Sequence, residues 1–403
     1  MAPVAGVARI VELNQAAAAF YAEQYPGSRA AEYVTARFGT DLTNTDGITI
    51  GYAPASWDSL TQHMRTVCAA TNDELIDAGL AKYSKRGTLI DVFRDRVMLG
   101  IRDQHQQLVG FTGRAAPGAP ADAPKYMNTP TTAAFHKGEV LYGLAKHTGH
   151  GTPVLVEGAF DAIAISLAGA DQVYGVAPCG IALTLVHAEQ LANAAPDGRV
   201  LVATDQDQAG RKAAEKDFWT LTGLGLDPHR LIIVRADGAP VKDPAELYQA
   251  DQGRTLAAIL AMQDLAPSLA DTLMASRIAA DKTHLDEGNA NAYAFAYRDL
   301  ARIVAALPAE QWEERIGTAA ALLGPDPWNA GEIREHLYDT ATQWHPGDPG
   351  DPNRHVGDIT RLRHYAARHI GTSEPLRPTT PPPGQSDQRP EPPQPARGPI
   401  LSY

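Results

Sequence analysis

Four carboxylates stand in this sequence where they could work together. Pro153-Val-Leu-Val-Glu-Gly-Ala-Phe-Asp161 and Arg199-Val-Leu-Val-Ala-Thr-Asp-Gln-Asp207 are each a short apolar run ending in acids. Glu157 and Asp161 are four residues apart, and Asp205 and Asp207 flank Gln206. Like charges held close raise one another's pKa unless a cation neutralises them. Donor sets made only of oxygen suit Mg2+ or Mn2+, hard ions shared with substrate phosphates. The chemistry implied is metal-assisted transfer or hydrolysis at phosphorus. Taken singly, a Glu-Gly or an Asp-x-Asp at a strand end is also a common loop or helix cap. The two together, in order and each after a strand, carry more weight.

The elements that must position these acids follow from the flanking residues. Val and Leu runs bounded by turn residues read as strands buried on both faces, and the alanine-rich periodic segments after them read as crossover helices. The fold class is therefore α/β with a parallel sheet, which binds ligands beyond the carboxyl ends of its strands. Glu157 falls at a strand end and Asp161 one turn into the next helix. If both strand ends open into one crevice, the four acids converge. This pattern resembles the Toprim domain of primases, topoisomerases and some nucleases, whose motifs are Glu-Gly-x-x-Asp and Asp-x-Asp. Asp205-Gln-Asp-Gln-Ala-Gly-Arg-Lys-Ala-Ala214 is similar to the form found in bacterial primases.

At 403 residues the chain is long enough for two or three domains with substantial cores. Its two cysteines, Cys68 and Cys179, exclude a cysteine-rich zinc ribbon and point to a reducing compartment. No apolar run approaches the roughly 20 residues needed to span a bilayer, so a soluble, cytoplasmic protein with no membrane partner is expected. The net charge of −12 counts against an all-over nucleic-acid coat but not against a local basic patch. Such a patch is present: residues 85–146 hold nine Lys or Arg against five Asp or Glu. The window alternates strand-like runs (96–101, 107–111) with turns, a platform suited to holding phosphates with little sequence information. Scattered surface cations in weak salt bridges are the bland alternative. Before it, periodicity predicts helices over 7–24, 28–38 (Ser28 as N-cap), 59–70 and 74–80.

In this stretch the resemblance becomes specific. Gly51-Tyr-Ala-Pro with Trp57, Ala78-Gly-Leu, Asp91-Val-Phe-Arg-Asp-Arg-Val-Met98, Gly110-Phe-Thr-Gly-Arg114, Pro124-Lys-Tyr-Met-Asn-Thr-Pro130 and Phe135-His-Lys-Gly-Glu-Val-Leu-Tyr-Gly143 resemble the catalytic core of bacterial DnaG-type primases, in the family's order, over about residues 8–250. The resemblance implies a basic subdomain facing a Toprim metal site across a groove for template and nascent RNA. It implies that Glu157, Asp161, Asp205, Asp207 and Asp243 hold metal, with Glu157, Asp205 and Asp207 catalytic and Glu157 the first candidate for general base or metal organiser. It also implies that Arg94, Arg96, Arg114, Lys125, Tyr126, Asn128 and Lys137 contact nucleic acid or nucleotide. Ala245 stands where the family's second acid of Asp-Pro-Asp would be, which weakens one outer metal position. Thr129 for Ser and Gly100 for Pro are tolerable departures.

The expected organisation is a basic catalytic-core subdomain over 1–148, a Toprim domain over 149–250, a helical region over 251–370 and a disordered Pro-rich tail over 371–403. Helices are predicted over 244–263, 268–283, 290–306, 308–323, 330–342 and near 358–369. The tail, with ten prolines from Thr372 onward, cannot bury enough surface to fold. No zinc is expected: the family's zinc-binding domain is not seen, and His147 and His150 have no nearby cysteine. The implied activity is RNA primer synthesis on a single-stranded DNA template from nucleoside triphosphates, in an architecture suited to a plasmid, phage or integrated mobile element. A replicative helicase is a partner for the C-terminal region, although support of the Toprim domain is the favoured role. The absence of a P-loop excludes a built-in helicase motor. A Toprim nuclease, or a DNA-binding accessory without activity, would carry the same acids.

Overall fold

Caps decide where the first helices begin. After α1 (Val7–Glu23), the Ser28 hydroxyl accepts the Ala31 N–H at 3.2 Å and opens α2 (Arg29–Phe38), which Gly39 ends in the left-handed region. Strand β1 (Ile50–Ala53) leads to α3 (Ser59–Val67), three residues shorter than predicted, with Ala69 at a φ of 49° just past its end. Helix α3 lacks its own cap, and the buried Asp91 carboxylate accepts the Leu60 and Thr61 N–H groups at 2.9 Å instead. A Thr71–Glu74 capping box starts α4 (Asn72–Asp77) two residues before the predicted start. The computed structural model describes residues 5–119, 123–146, 150–195, 197–204, 208–326 and 328–343. Asp205, Asp207, His147, the predicted helix near 358–369 and the Pro-rich tail lie outside these residues.

The basic window folds as two small antiparallel sheets. Strands β2 (Ala81–Tyr83) and β3 (Leu89–Asp91) pair as a hairpin. Strands β4 (Arg96–Arg102), β5 (Leu108–Ala115) and β6 (Tyr126–Asn128) join β1 in a sheet of order β1-β4-β5-β6. Met98 and Phe111 from this sheet pack against Leu13, Phe20 and Tyr21 of α1.

A second sheet carries the acids. Its elements are β7 (Leu141–Tyr142), β8 (Thr152–Leu155), α5 (Ala159–Ala168), β9 (Val173–Pro178), α6 (Leu185–Ala194), β10 (Arg199–Val202), α7 (Gln208–Thr222) and β11 (Asp227–Arg230). The order is β11-β10-β8-β9-β7, with β8 to β11 parallel and β7 antiparallel at the edge. Alternating residues of the central strands point to opposite faces, and both faces are buried. Val154, Val156 and Leu201 pack with Phe160 and Ile163 of α5 and with Val34 and Phe38 of α2. Leu155, Val200 and Val202 pack with Phe218 and Leu221 of α7 and with helices further along the chain.

Those later helices are α8 (Pro244–Asp251), α9 (Arg254–Ala261), α10 (Leu269–Asp286), α11 (Ala290–Ala305), α12 (Trp312–Leu323) and α13 (Asn329–Gln343). The single helix predicted over 244–263 is in fact α8 and α9. Gln252 and Gly253 are both left-handed (φ 57° and 81°), and two such residues in succession end a helix. Helices α10 to α12 bury Leu273, Met274, Leu300, Val304 and Trp312 in the core they share with α7. No helix among the described residues is long and apolar enough to cross a membrane.

Candidate active site

Glu157 is exposed just past β8, and Gly158 is the N-cap of α5, so Asp161 falls in the first turn of that helix, as the spacing predicts. A carboxylate there is favoured by the helix dipole. Asp161 is only 8% exposed, and its Oδ1 accepts the Ala245 N–H at 3.3 Å. The backbone at the start of α8 thus reaches the first acid pair. Asp243 caps α8: its Oδ1 accepts the Glu246 N–H at 2.7 Å and an Arg37 Nη2–H at 3.1 Å. Arg37 comes from α2, so this ion pair joins the N-terminal region to the acid-bearing sheet. Both contacts fall on Oδ1, and Asp243 is among the residues that line the adjoining cleft.

That cleft, a cavity of about 250 Å³, lies between β6 and the carboxyl ends of β8 and β9. Glu157, Asp161 and Asp243 line it together with Lys125, Tyr126, Asn128 and Lys242. Asn128 Nδ2 donates to the Cys179 carbonyl at 2.8 Å, tying β6 to the loop after β9. Arg114 borders the cleft in an aromatic nest, its guanidinium 4.9 Å from the Tyr33 ring, 5.0 Å from Phe160 and 5.3 Å from Tyr126. It also donates to the Tyr126 hydroxyl at 2.5 Å. These contacts hold a cation rigidly over one wall.

The electrostatics reflect this crowding. Burial lowers the Lys125 pKa, and Arg114 and Lys242 lower it further, against a smaller opposing pull from Asp243. Burial lifts the Tyr126 phenol to about 12, with Arg114 opposing and Asp161 adding to the rise. A phosphate entering beside these cations would favour the charged form of Lys125.

The other sequence-predicted residues sit apart from the cleft. Arg96 is 4% exposed and donates through Nη1 to the Gly113 and Pro124 carbonyls at 3.2 and 2.8 Å, which positions the segment carrying Lys125. Arg94 donates to the Asp91 carbonyl and lies 4.2 Å over the exposed Trp57 ring. Lys137 opens a 3-10 turn whose first carbonyl contacts His187 Nε2 at 3.0 Å. Arg37, Tyr33, Phe160 and Lys242 belong to the site without having been picked out from the sequence. Lys242 had a signal, adjacency to Asp243, whereas Arg37 is 206 residues from its partner and had none.

Comparison with known proteins decides the family. A family model described as the N-terminal domain of the DNA primase catalytic core matches residues 20–148, and a Toprim-like model matches residues 154–247. This chain contains a DnaG-type primase catalytic core. The core is 38% identical over 246 residues to a DNA primase of Deinococcus radiodurans, covering 59% of this chain and 40% of that protein. It is 35% identical over 250 residues to a DNA primase of Streptomyces coelicolor, covering 57% and 38%. A DNA primase domain from Pseudomonas aeruginosa aligns with a TM-score of 0.64 and 28% identity, over 80% of this chain and 99% of that one. The RNA polymerase domain of Mycobacterium tuberculosis primase, in complex with a double-stranded DNA oligomer with a 6-nucleotide overhang, aligns with a TM-score of 0.62 and 28% identity over 79% and 98%. The DnaG-type core thus spans well under half the length of these curated relatives.

Proposed function

We propose that this chain is a metal-dependent nucleotidyltransferase that makes short RNA primers on single-stranded DNA. The observation that carries this is the cleft that Glu157, Asp161 and Asp243 line together with Lys125, Tyr126 and Lys242. Acids, cations and an aromatic ring around one cleft suit nucleoside triphosphates and a nucleic-acid strand.

The donor set fits a hard divalent ion. Glu157, Asp161 and Asp243, joined by Asp205 and Asp207, offer oxygen alone and would hold Mg2+ or Mn2+. Cys179 also lines the cleft; burial pushes its thiol up to about 12, and its Sγ donates toward the Val140 carbonyl at 3.7 Å. When bound, the ion would neutralise phosphate charge and stabilise the pyrophosphate leaving group. Lys125, Lys242 and Arg114 would grip the triphosphate and Tyr126 would stack against a base. Asn128 and Arg96 would hold the strip they sit on, and Arg94 on Trp57 together with Lys137 would extend the cationic track for the template. Glu157, exposed at the strand end, would take the proton of an attacking 3′ hydroxyl. Ala245 contributes only its N–H, so the outer metal position has one acid fewer. The helices after Asp243 would support the sheet, with a replicative helicase as their partner.

The test is synthesis on single-stranded DNA of mixed sequence with labelled nucleoside triphosphates and Mg2+ or Mn2+. We expect short RNAs from the natural chain and at least ~100-fold less from Glu157→Gln or Asp161→Asn, with DNA binding retained. Variant-sensitive shortening of the DNA instead would make the cleft a nuclease site.

A further inference from the structure

Strands β8 and β11 flank β10 in parallel, and each ends at a cation-lined cavity: β8 at the cleft, β11 at a second one. The other, of about 390 Å³, is bounded by Arg211 and Lys212 at the start of α7, by Arg230 and Ile232 at the end of β11, and by Leu269, Thr272 and Leu273 of α10. Arg230 is half-buried, and its guanidinium is held by the Thr204 hydroxyl at 2.6 Å and the Thr204 carbonyl at 3.2 Å rather than by a carboxylate. Val202 of β10 pairs with Arg230 on one side and with Leu155, two residues before Glu157, on the other, so the two cavities open at neighbouring strand ends. Glu215, the carboxylate in the lining, is paired with Arg277. The apolar side includes Ile232, which is 53% exposed. Cations beside an apolar wall, one of them held in place, suit a nucleoside carrying phosphates.

Starting a chain without a primer joins two nucleoside triphosphates, so both must be held, one on each side of the acids. We infer that the second cavity holds the first nucleotide of the primer. Its 5′-triphosphate would lie on Arg211, Lys212 and Arg230, and its nucleoside against Ile232, Leu269 and Leu273. Its 3′ oxygen bonds to the α-phosphorus of the triphosphate in the cleft. The α–β P–O bond breaks with its electron pair going to pyrophosphate, and the hydroxyl proton passes to Glu157. This assignment presupposes the primer synthesis proposed above.

Lys212→Glu and Thr272→Trp change exposed lining positions outside the cleft, the first reversing a charge and the second filling space. For each we would measure unprimed dinucleotide formation against starting-nucleotide concentration, and extension of an annealed RNA primer bearing a 5′ hydroxyl. The expected result is a rise of about tenfold in the KM for the starting triphosphate, with primer extension within about twofold of the natural chain. The Lys212→Glu defect should vanish when an unphosphorylated nucleoside is the starter. An unchanged KM, or equal losses in both reactions, would overturn the assignment while leaving primer synthesis in place. A natural chain that neither starts nor extends RNA would overturn both.

Discussion

Asp217 of α7 shows how a single side chain records the site. It is 7% exposed, and its carboxyl is pushed up to about 7 by burial, with Lys216 opposing the rise and Glu157 adding to it. The folded chain therefore keeps a proton that the unfolded chain releases. Stability should fall as pH rises from about 4 to about 7 and level off above, because over that range the native state binds more protons. Asp217→Asn should remove this slope and stabilise the chain at pH 8 by ~1–3 kcal/mol, measured by denaturant unfolding in chelator at pH 5 and pH 8. An unchanged slope would mean that the proton belongs elsewhere. Among single residues, those in short motifs were legible in the sequence: Glu157 at a strand end and Asp161 in the first helical turn stand where the spacing put them. Arg37, Tyr33 and Phe160 were not, because their roles arise from contacts between segments distant in sequence, and no local pattern marks such contacts.

At the scale of elements, the acids depend on how closely α5 lies on β9. Gly175 makes that approach possible, since a Cβ there would sit 2.3 Å from the Ala162 carbonyl oxygen and 2.4 Å from its Cα. Both are backbone atoms, so no rotamer change relieves the clash. Gly175→Ala should cost ~1–3 kcal/mol or more and push α5 outward, carrying Glu157 and Asp161 with it. Leu300→Ala, in a helix far from the cleft, should cost a comparable ~2–5 kcal/mol yet keep more primer synthesis at a temperature where both variants are folded. Equal residual activities would mean that the seat of α5 does not set the acids. The parallel sheet was legible because Val and Leu runs alternate with alanine-rich helices. The break between α8 and α9 was not: apolar spacing continues across it, and only the left-handed Gln252–Gly253 pair and the Tyr248 ring, 2.5 Å from where a Gly253 Cβ would stand, enforce it. The edge strand β11 was hidden too, because Asp227-Pro-His-Arg230 has none of the Val or Ile content of a buried strand.

Across the whole molecule, a chain of net charge −12 gathers Arg37, Arg114, Lys125 and Lys242 around one cleft and Arg211, Lys212 and Arg230 around a second cavity. The parallel sheet sits between a basic antiparallel sheet on one side and the later helices on the other, and its carboxyl ends open toward both cavities. With a starting nucleotide held in the second cavity as proposed, joining of nucleotides is expected rather than their hydrolysis. The most direct measurement is pyrophosphate release by the full chain with single-stranded DNA, all four nucleoside triphosphates and Mg2+, beside the Asp205→Asn/Asp207→Asn variant. One pyrophosphate is expected for each nucleotide incorporated into RNA, dependent on DNA and lost in the variant. DNA fragments without pyrophosphate, or pyrophosphate that does not depend on DNA, would contradict it.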